Sequence, residues 1–313
     1  MRNTRTHVAI VGGAGFLGLA LGEHLLAHYP DMQLSVYDLT YPHQWLEDHQ
    51  TVRFEFMDVT ERSSIEAKCD GIDIVFYKAG ILGGPRSASI DTCSEYLRVN
   101  AVGVYNLLEA ARSSGVRKVI FDSSEQVFGR TDDPRAFGET DPAWPLNYYG
   151  VSKIFAEDIC RLFAQGMMDV IVFRYPRVRR YDSKDIIYSF IKKMLRGETI
   201  VLKNRGTRCF DFVDVSDVCL ASELVLDRRI PYGLFHVSSG ESIRVIDLVH
   251  LIEEVTGRKA ILSFADNTSS FFDADHYQLD IHSAQEVLGY HPQVTVRDMV
   301  ERSFQWIASR KEL

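Results

Sequence analysis

His7-Val-Ala-Ile-Val11 runs straight into Gly12-Gly-Ala-Gly-Phe-Leu-Gly18, and that junction decides the fold. The first five residues read as a buried strand. An amphipathic run from Phe16 to Tyr29 follows the glycines. Gly12, Gly15 and Gly18 satisfy G-x-x-G-x-x-G, while Gly13, Gly15 and Gly18 satisfy G-x-G-x-x-G. Glycine there permits a tight turn, close approach of backbone to a pyrophosphate, and contact between helix and strand. The N-terminus of the following helix offers N–H groups and the positive end of its dipole to phosphate. A second apolar run, Leu34-Ser-Val-Tyr37, ends in Asp38, twenty residues past Gly18. An acid at that distance suits the ribose 2′-hydroxyl of NAD. No lysine or arginine directly follows it to receive a 2′-phosphate, so NAD rather than NADP is the expected cofactor.

Outward from this unit, strands and helices alternate. Residues 52–56 read as a third strand with Asp58 beyond it, and 73–77 as a fourth leading into Lys78-Ala-Gly-Ile-Leu-Gly-Gly84. Residues 118–121 and 169–173 make the fifth and sixth, with helical periodicity over 93–112 and 148–163. Such alternation predicts right-handed crossovers and an α/β, Rossmann-like, doubly wound parallel sheet. Past Arg174 the pattern loosens into helical stretches at 184–196, 216–227, 243–256 and 296–309, split by short strands and turns. The expected organisation is a NAD-binding domain at 1–174, with segments near 206–238 returning to it. A smaller C-terminal α/β substrate-binding lobe takes most of 175–313.

Composition fits an enzyme of this kind. The chain has 313 residues, 46% hydrophobic and 25% charged, ample for a core. A formal net charge of −8 argues against a broad polyanion-binding surface, so no nucleic acid partner is expected. Cys69, Cys93, Cys160, Cys209 and Cys219 are odd in number and lack C-x-x-C spacing. That suits a reducing compartment and predicts neither a disulfide framework nor a zinc cage, and no metal is expected. With no signal peptide or membrane-length apolar run, the expectation is a cytoplasmic protein without a membrane partner.

Tyr149-Gly-Val-Ser-Lys153 carries the chemistry. A tyrosine and a lysine four apart share one helix face. A nearby ammonium favours phenolate and is expected to lower the tyrosine pKa, making Tyr149 a general acid/base for an alcohol. Tyr188 and Lys192 repeat the spacing without other catalytic signals and read as a structural helix face. Ser124, at the end of the fifth strand, lies where parallel sheets open their ligand crevice.

These stretches resemble the extended short-chain dehydrogenase/reductases, the NAD-dependent epimerase/dehydratase group, over nearly the whole chain. The likeness rests on the 12–18 loop, Asp38, Asp58, and Asn100-Ala-Val-Gly-Val-Tyr-Asn-Leu-Leu-Glu-Ala-Ala111. It continues through Asp122-Ser-Ser-Glu-Gln-Val-Phe-Gly129, Tyr148-Tyr-Gly-Val-Ser-Lys153, Arg174-Tyr-Pro176, Phe210-Asp-Phe-Val-Asp-Val-Ser-Asp217 and Leu288-Gly-Tyr-His-Pro292. The resemblance implies catalytic roles for Ser124, Tyr149 and Lys153. It implies cofactor contacts from Gly12, Gly15, Phe16, Leu17, Gly18, Asp38, Asp58, Val59, Ala79 and Asn100, besides Tyr149 and Lys153. It also implies a homodimer built on the helices at 93–112 and 148–163.

Departures bear on the substrate. The group's 4,6-dehydratases follow the serine or threonine with an acid pair; here Glu125 is followed by Gln126, whose amide cannot take a proton as a carboxylate does. Arg-Asp-Phe of many nucleotide-sugar members becomes Phe210-Asp211-Phe212, removing a diphosphate-binding arginine, while Arg174, Arg177, Arg179 and Arg180 crowd one segment, with Arg205 and Arg208 downstream. Guanidinium binds phosphate and carboxylate bidentately, and a solvated basic face explains the same run. Glu125, Gln126, Arg177, Arg180 and Arg208 are the candidate substrate contacts. Lys78, where the group usually has an apolar residue, either approaches the cofactor or snorkels to solvent, the latter being the favoured reading, and His236 reads as structural. The reading is a nucleotide-sugar epimerase, with C4 the carbon, passing through a transient ketone. The alternatives are a threonine-3-dehydrogenase-like oxidoreductase of a smaller anionic alcohol, and an NAD-sensing protein without chemistry.

Overall fold

The structure, a computed structural model, describes residues 6–130, 135–166, 168–265 and 276–310. Along the chain come β1 (His7–Val11), α1 (Phe16–His28), β2 (Gln33–Asp38), α2 (His43–Asp48), β3 (Arg53–Phe56), α3 (Arg62–Ile65) and β4 (Ile74–Tyr77). Then follow α4 (Cys93–Leu97), α5 (Gly103–Ser113), β5 (Lys118–Ser124), α6 (Tyr148–Phe163), β6 (Asp169–Tyr175), β7 (Arg177–Arg179), α7 (Ile186–Arg196), β8 (Thr199–Lys203) and β9 (Cys209–Asp214). The chain closes with α8 (Val215–Leu224), β10 (Tyr232–His236), β11 (Ser242–Arg244), α9 (Val245–Thr256), β12 (Ile261–Ala265) and α10 (Val296–Ser309).

Seven strands form one sheet in the order β10-β6-β5-β4-β1-β2-β3. The pairs β1/β2, β1/β4, β2/β3 and β4/β5 are parallel. Every residue of β4, β5 and β6 is buried, as expected of central strands covered on both faces. Edge strand β3 is not buried at any position. On one face Val11, Val75, Val119 and Val172 pack with Leu107, Leu108, Ala111, Ala156 and Cys160 from α5 and α6. The order reverses beside β1, between β4 and β2, which is the switch point where doubly wound sheets take their ligands.

Two compact units divide the chain. The first comprises 1–128, 142–174 and 219–235; the second takes 129–141, 175–218 and 236–313. Within the first, Lys118 at the start of β5 is fully buried and its ammonium donates to the carbonyls of Val225, Leu226 and Arg228, just past α8. A cation fits there because the last carbonyls of a helix lack partners within it. Burial lowers the Lys118 pKa to about 8. The second unit holds a three-stranded sheet, β11-β9-β7, and a parallel β12/β8 pair. Ile187, Ile191, Leu248, Ile252, Met299 and Val300 of α7, α9 and α10 supply its core. The excursion of 129–141 into it had no signal in the sequence. Among the described residues no helix is long and apolar enough to cross a membrane.

Candidate active site

The glycine loop is shaped by contacts that admit no side chain. Gly12 has φ +79°, and a Cβ there would lie 2.4 Å from the Ala79 nitrogen. A Cβ on Gly18 would lie 2.4 Å from the Gly12 carbonyl oxygen. Both glycines therefore let β1, β4 and α1 close up, as the motif predicts. No side chain caps α1, whose N-cap is Gly15. Phe16 and Leu17 sit in its first turn, with the Phe16 ring 40% exposed. Asp38 accepts the Ala14 N–H at 2.9 Å and the Thr40 N–H at 3.0 Å, tying the loop to the end of β2. Asp58 accepts both the N–H and the hydroxyl of Thr60, at 2.9 and 2.8 Å.

Gly12, Gly15, Asp38, Asp58 and Thr60 line a cleft of 520 Å³, together with Val59, Lys78, Ala79, Gly80 and Arg98, whereas Phe16, Leu17 and Gly18 stand outside its lining. A helix start without a side-chain cap, a glycine cradle and two carboxylates around a cleft fit a dinucleotide: N–H groups for pyrophosphate, Asp38 for a ribose, Asp58 for an adenine edge. Asn100 takes a supporting position instead of lining this cleft. It is fully buried, accepts the Ile81 N–H at 2.7 Å and donates to the Ile81 carbonyl and Ser152 hydroxyl. It lies in a π-helical turn over Arg98–Val102 that interrupts the helix expected across 93–112. A widened turn of this kind often marks a functional position.

Ser124, Tyr149 and Lys153 come together where β5 meets the N-terminus of α6. Asn147 caps α6 by accepting the Gly150 N–H at 2.9 Å. Tyr149 is 7% exposed and hydrogen-bonds with Ser124, whose hydroxyl oxygen also accepts the Gln126 N–H at 3.2 Å. The Lys153 ammonium donates to the Asp122 carbonyl at 2.7 Å and lies 5.7 Å from the Tyr149 ring centroid. A Cβ on cleft-lining Gly80 would be 3.7 Å from that ammonium, and one on Gly83 would be 2.8 Å from the Tyr149 ring. The glycine-rich 80s loop thus passes directly over the pair.

Electrostatics corrects one expectation. Burial pushes the Tyr149 pKa up to about 12; the Ser124 hydrogen bond opposes this, and the Asp122 and Glu125 carboxylates add to it. Burial likewise pulls Lys153 down to about 8, against Asp122 and Glu157. The ammonium is spent on a carbonyl, so the protein alone holds Tyr149 as the phenol at neutral pH.

One more expectation changes. Lys78 does not snorkel: its side chain is 1% exposed and its ammonium meets both Asp122 oxygens, at 2.9 and 3.0 Å. Glu125, a candidate substrate contact, is buried at 3% exposure. Gln126 accepts from the Asn147 amide at 3.0 Å, an assignment that fixes its carbonyl inward.

The arginine run disperses into separate partners. Arg174 is buried and grips Glu157 with Nε and Nη2, at 2.9 and 2.7 Å; Glu157 also accepts the Ser123 hydroxyl. Glu157 shares the α6 face of Tyr149 and Lys153 at helical spacing, which is the signal the sequence held for it. In the second unit Arg179 is buried against Asp185, the Met299 carbonyl and Ser303, and Arg180 pairs with Asp182 two residues on. Arg177 and Arg208 converge on one ring, their guanidinium carbons 4.2 and 4.8 Å from the Phe210 centroid. Phe210, where the family resemblance implied an arginine, thereby holds two. The ring of Tyr188, from the second Tyr-Lys pair, packs against Trp306 at 6.3 Å. His236 is fully buried with Nδ1 on the Asp280 carbonyl, a structural position.

A switch-point dinucleotide cleft with Ser124, Tyr149 and Lys153 beside it defines an extended short-chain dehydrogenase/reductase. The model of the NAD dependent epimerase/dehydratase family matches residues 8–236, and the chain belongs to that family; its cofactor is NAD. An uncharacterised UDP-glucose epimerase of Bacillus subtilis (strain 168) is 25% identical over 314 residues, covering 96% of this chain and 98% of its own length. The dTDP-4-dehydro-6-deoxyglucose reductase of Escherichia coli is 28% identical over 316 residues, covering 94% and 95%. Among solved structures, MoeE5 in complex with UDP-glucuronic acid and NAD superposes with a TM-score of 0.81 at 27% identity, covering 97% of this chain and 99% of its own.

Proposed function

We propose that the protein is an NAD-dependent epimerase of a nucleotide sugar, inverting C4. NAD, when bound in the glycine-loop cleft, supplies the acceptor and later the donor of a hydride. Tyr149, the phenol in the protein alone, acts as the phenolate that the positive nicotinamide of bound NAD would favour, taking the proton of the C4 hydroxyl and returning one to the transient ketone. Ser124, already hydrogen-bonded to Tyr149, holds the reacting oxygen within reach. Lys153 lies against Gly80 on the cleft lining and would present a cation to the cofactor ribose. Asp38 would meet the other ribose and Asp58 the adenine, while Asn100 fixes the 80s loop.

The single observation that carries this reading is the acid inventory beside Ser124: Glu125 is followed by an amide engaged by Asn147, while the other buried carboxylate, Asp122, is paired with Lys78. Epimerisation needs only the tyrosine, whereas elimination of water needs a further group able to take and give a proton. Arg177 and Arg208 gather on Phe210 within the second unit and are the proposed phosphate-binding cations, in place of the arginine that the resemblance implied at the Arg-Asp-Phe position; Arg177 Nε is buried with no hydrogen-bond partner among the described residues. The UDP-glucuronic acid named with MoeE5 supports an anionic nucleotide sugar as substrate. The 28% identity to a dTDP-sugar reductase favours, as a second reading, net reduction of a 4-keto sugar on the same residues. A homodimer fits the exposed Val151, Phe155 and Leu162 of α6 beside Tyr105 of α5.

The test is incubation with a trace of NAD and a panel of UDP- and dTDP-hexoses, followed by proton NMR and reduced-nicotinamide absorbance. The proposed activity gives a C4 epimer without standing NADH, and Tyr149→Phe lowers its rate at least about a hundredfold. A panel that returns only unchanged sugars, or a Tyr149→Phe variant of undiminished rate, would overturn it.

A further inference from the structure

We propose that His24, His28 and Glu223 form a divalent transition-metal site, zinc being the ion their chemistry suits, which clamps α1 to α8. His24 and His28 stand four apart on α1, on one helix face, and Glu223 reaches them from α8 within the same compact unit. One donor atom from each of the three lies within 4.8 Å of the others. Tetrahedral zinc with Zn–N and Zn–O near 2.0–2.1 Å places its ligands roughly 3.3 Å apart, so adjustment of side-chain rotamers is enough to close the site.

The surroundings are those of a metal site. His28 Nδ1 donates to the His24 carbonyl at 2.8 Å, which leaves Nε2 as the free lone pair. The Tyr29 hydroxyl donates to Glu223 Oε1 at 3.0 Å, leaving Oε2 for the shared centre. His24 Nε2 already contacts that Oε2 at 2.6 Å, so the ion takes the place of the proton between them. His24 and Glu223 are 18% and 24% exposed, and His28 faces solvent, giving an ion an entry path and a water a fourth position. Two imidazoles and a carboxylate favour zinc, nickel or copper over magnesium or calcium, which prefer all-oxygen sets. The cysteine pattern that predicted no zinc cage does not speak to these histidines. Nothing in the site touches the catalytic set, so its consequence is rigidity at the far end of the helix that begins at the glycine loop.

The experiment uses the metal-stripped full chain saturated with NAD, titrated calorimetrically with zinc chloride. One zinc per chain is expected, and His28→Ala and Glu223→Gln should each weaken binding by at least about tenfold while NAD affinity is retained. In a parallel sample, copper(II) electron paramagnetic resonance should show two imidazole nitrogens in the parent and one in His28→Ala. Absence of zinc binding by the parent, zinc binding unchanged in both variants, or a copper spectrum without two imidazoles would overturn the proposal.

Discussion

Lys78→Met removes one charge from a buried pair beside the proposed catalytic residues. Lys78 and Asp122 are 1% and 9% exposed, and the ammonium lies 2.9 and 3.0 Å from the two carboxylate oxygens. Removing one partner of such a pair costs about 3–5 kcal/mol, because the remaining charge stays desolvated without its counter-charge. Replacing both is far gentler, since the desolvation disappears with the attraction. Lys78→Met is therefore expected to destabilise the sheet by roughly 3 kcal/mol or more, and Lys78→Met/Asp122→Asn to recover at least about half of that loss. Native-state hydrogen exchange of β4 and β5 amides is the assay, because it reads the first unit without interference from unfolding of the second. Function should move too. Asp122 already pushes the Tyr149 pKa up, and losing its counter-charge strengthens that push. The basic pKa of kcat/KM should rise in the single variant and return in the double. A single variant within about 0.5 kcal/mol of the parent, or a double variant whose losses simply add, would refute the idea that this pair is coupled and electrostatically significant.

Gly18→Ala places a Cβ 2.4 Å from the Gly12 carbonyl, a clash the loop can relieve only by moving away from its phosphate-binding geometry; NADH fluorescence titration should show at least about a tenfold weaker Kd, and an unchanged Kd would mean the loop yields freely. Asp211, fully buried in the second unit, has its pKa raised to about 7 by burial, against hydrogen bonds from Ser238 and the Leu279 N–H. The folded state then keeps a proton that the unfolded chain loses near 3.8, so folding stability falls as pH rises through the window from 3.8 to about 7. Urea melts across that window should show this slope in the parent and not in Asp211→Asn. Lys153 runs the other way: its folded pKa of about 8 lies below the ordinary lysine value of 10.5, so its burial penalty is full below pH 8 and fades towards 10.5. Lys153→Met should reduce that alkaline gain in stability, leaving the share that Lys118 contributes over the same window.

Local physics made the first unit legible. Continuous apolar runs became β4, β5 and β6 because both faces of a parallel sheet are covered, and the glycine loop admits no side chain at Gly12 or Gly18. The Tyr149–Lys153 helix likewise follows from its cap at Asn147 and its apolar face. What the sequence hid depends on pairs distant along the chain. Lys78 and Asp122 are forty-four residues apart and meet only because β4 and β5 are neighbours, so a lone lysine after a strand looked solvent-bound. Arg174 looked like an anion clamp until Glu157 occupied it. The pKa of Tyr149 was misjudged because helical spacing reports proximity to Lys153 but not burial, and burial is the larger effect here. Phe210 read as a lost arginine, although its ring gathers Arg177 and Arg208 from separate stretches.

The most direct measurement follows deuterium at C4. UDP-glucuronic acid labelled with deuterium at that carbon is incubated with the enzyme and a trace of NAD, and the products are read by mass spectrometry and proton NMR. The expected result is a C4 epimer that keeps its deuterium at C4, with no accumulation of reduced cofactor. A product that has exchanged the label with solvent, a label accumulating on reduced cofactor in step with a ketone, or no turnover of this sugar alongside turnover of another class of alcohol, would contradict inversion by oxidation and return at C4.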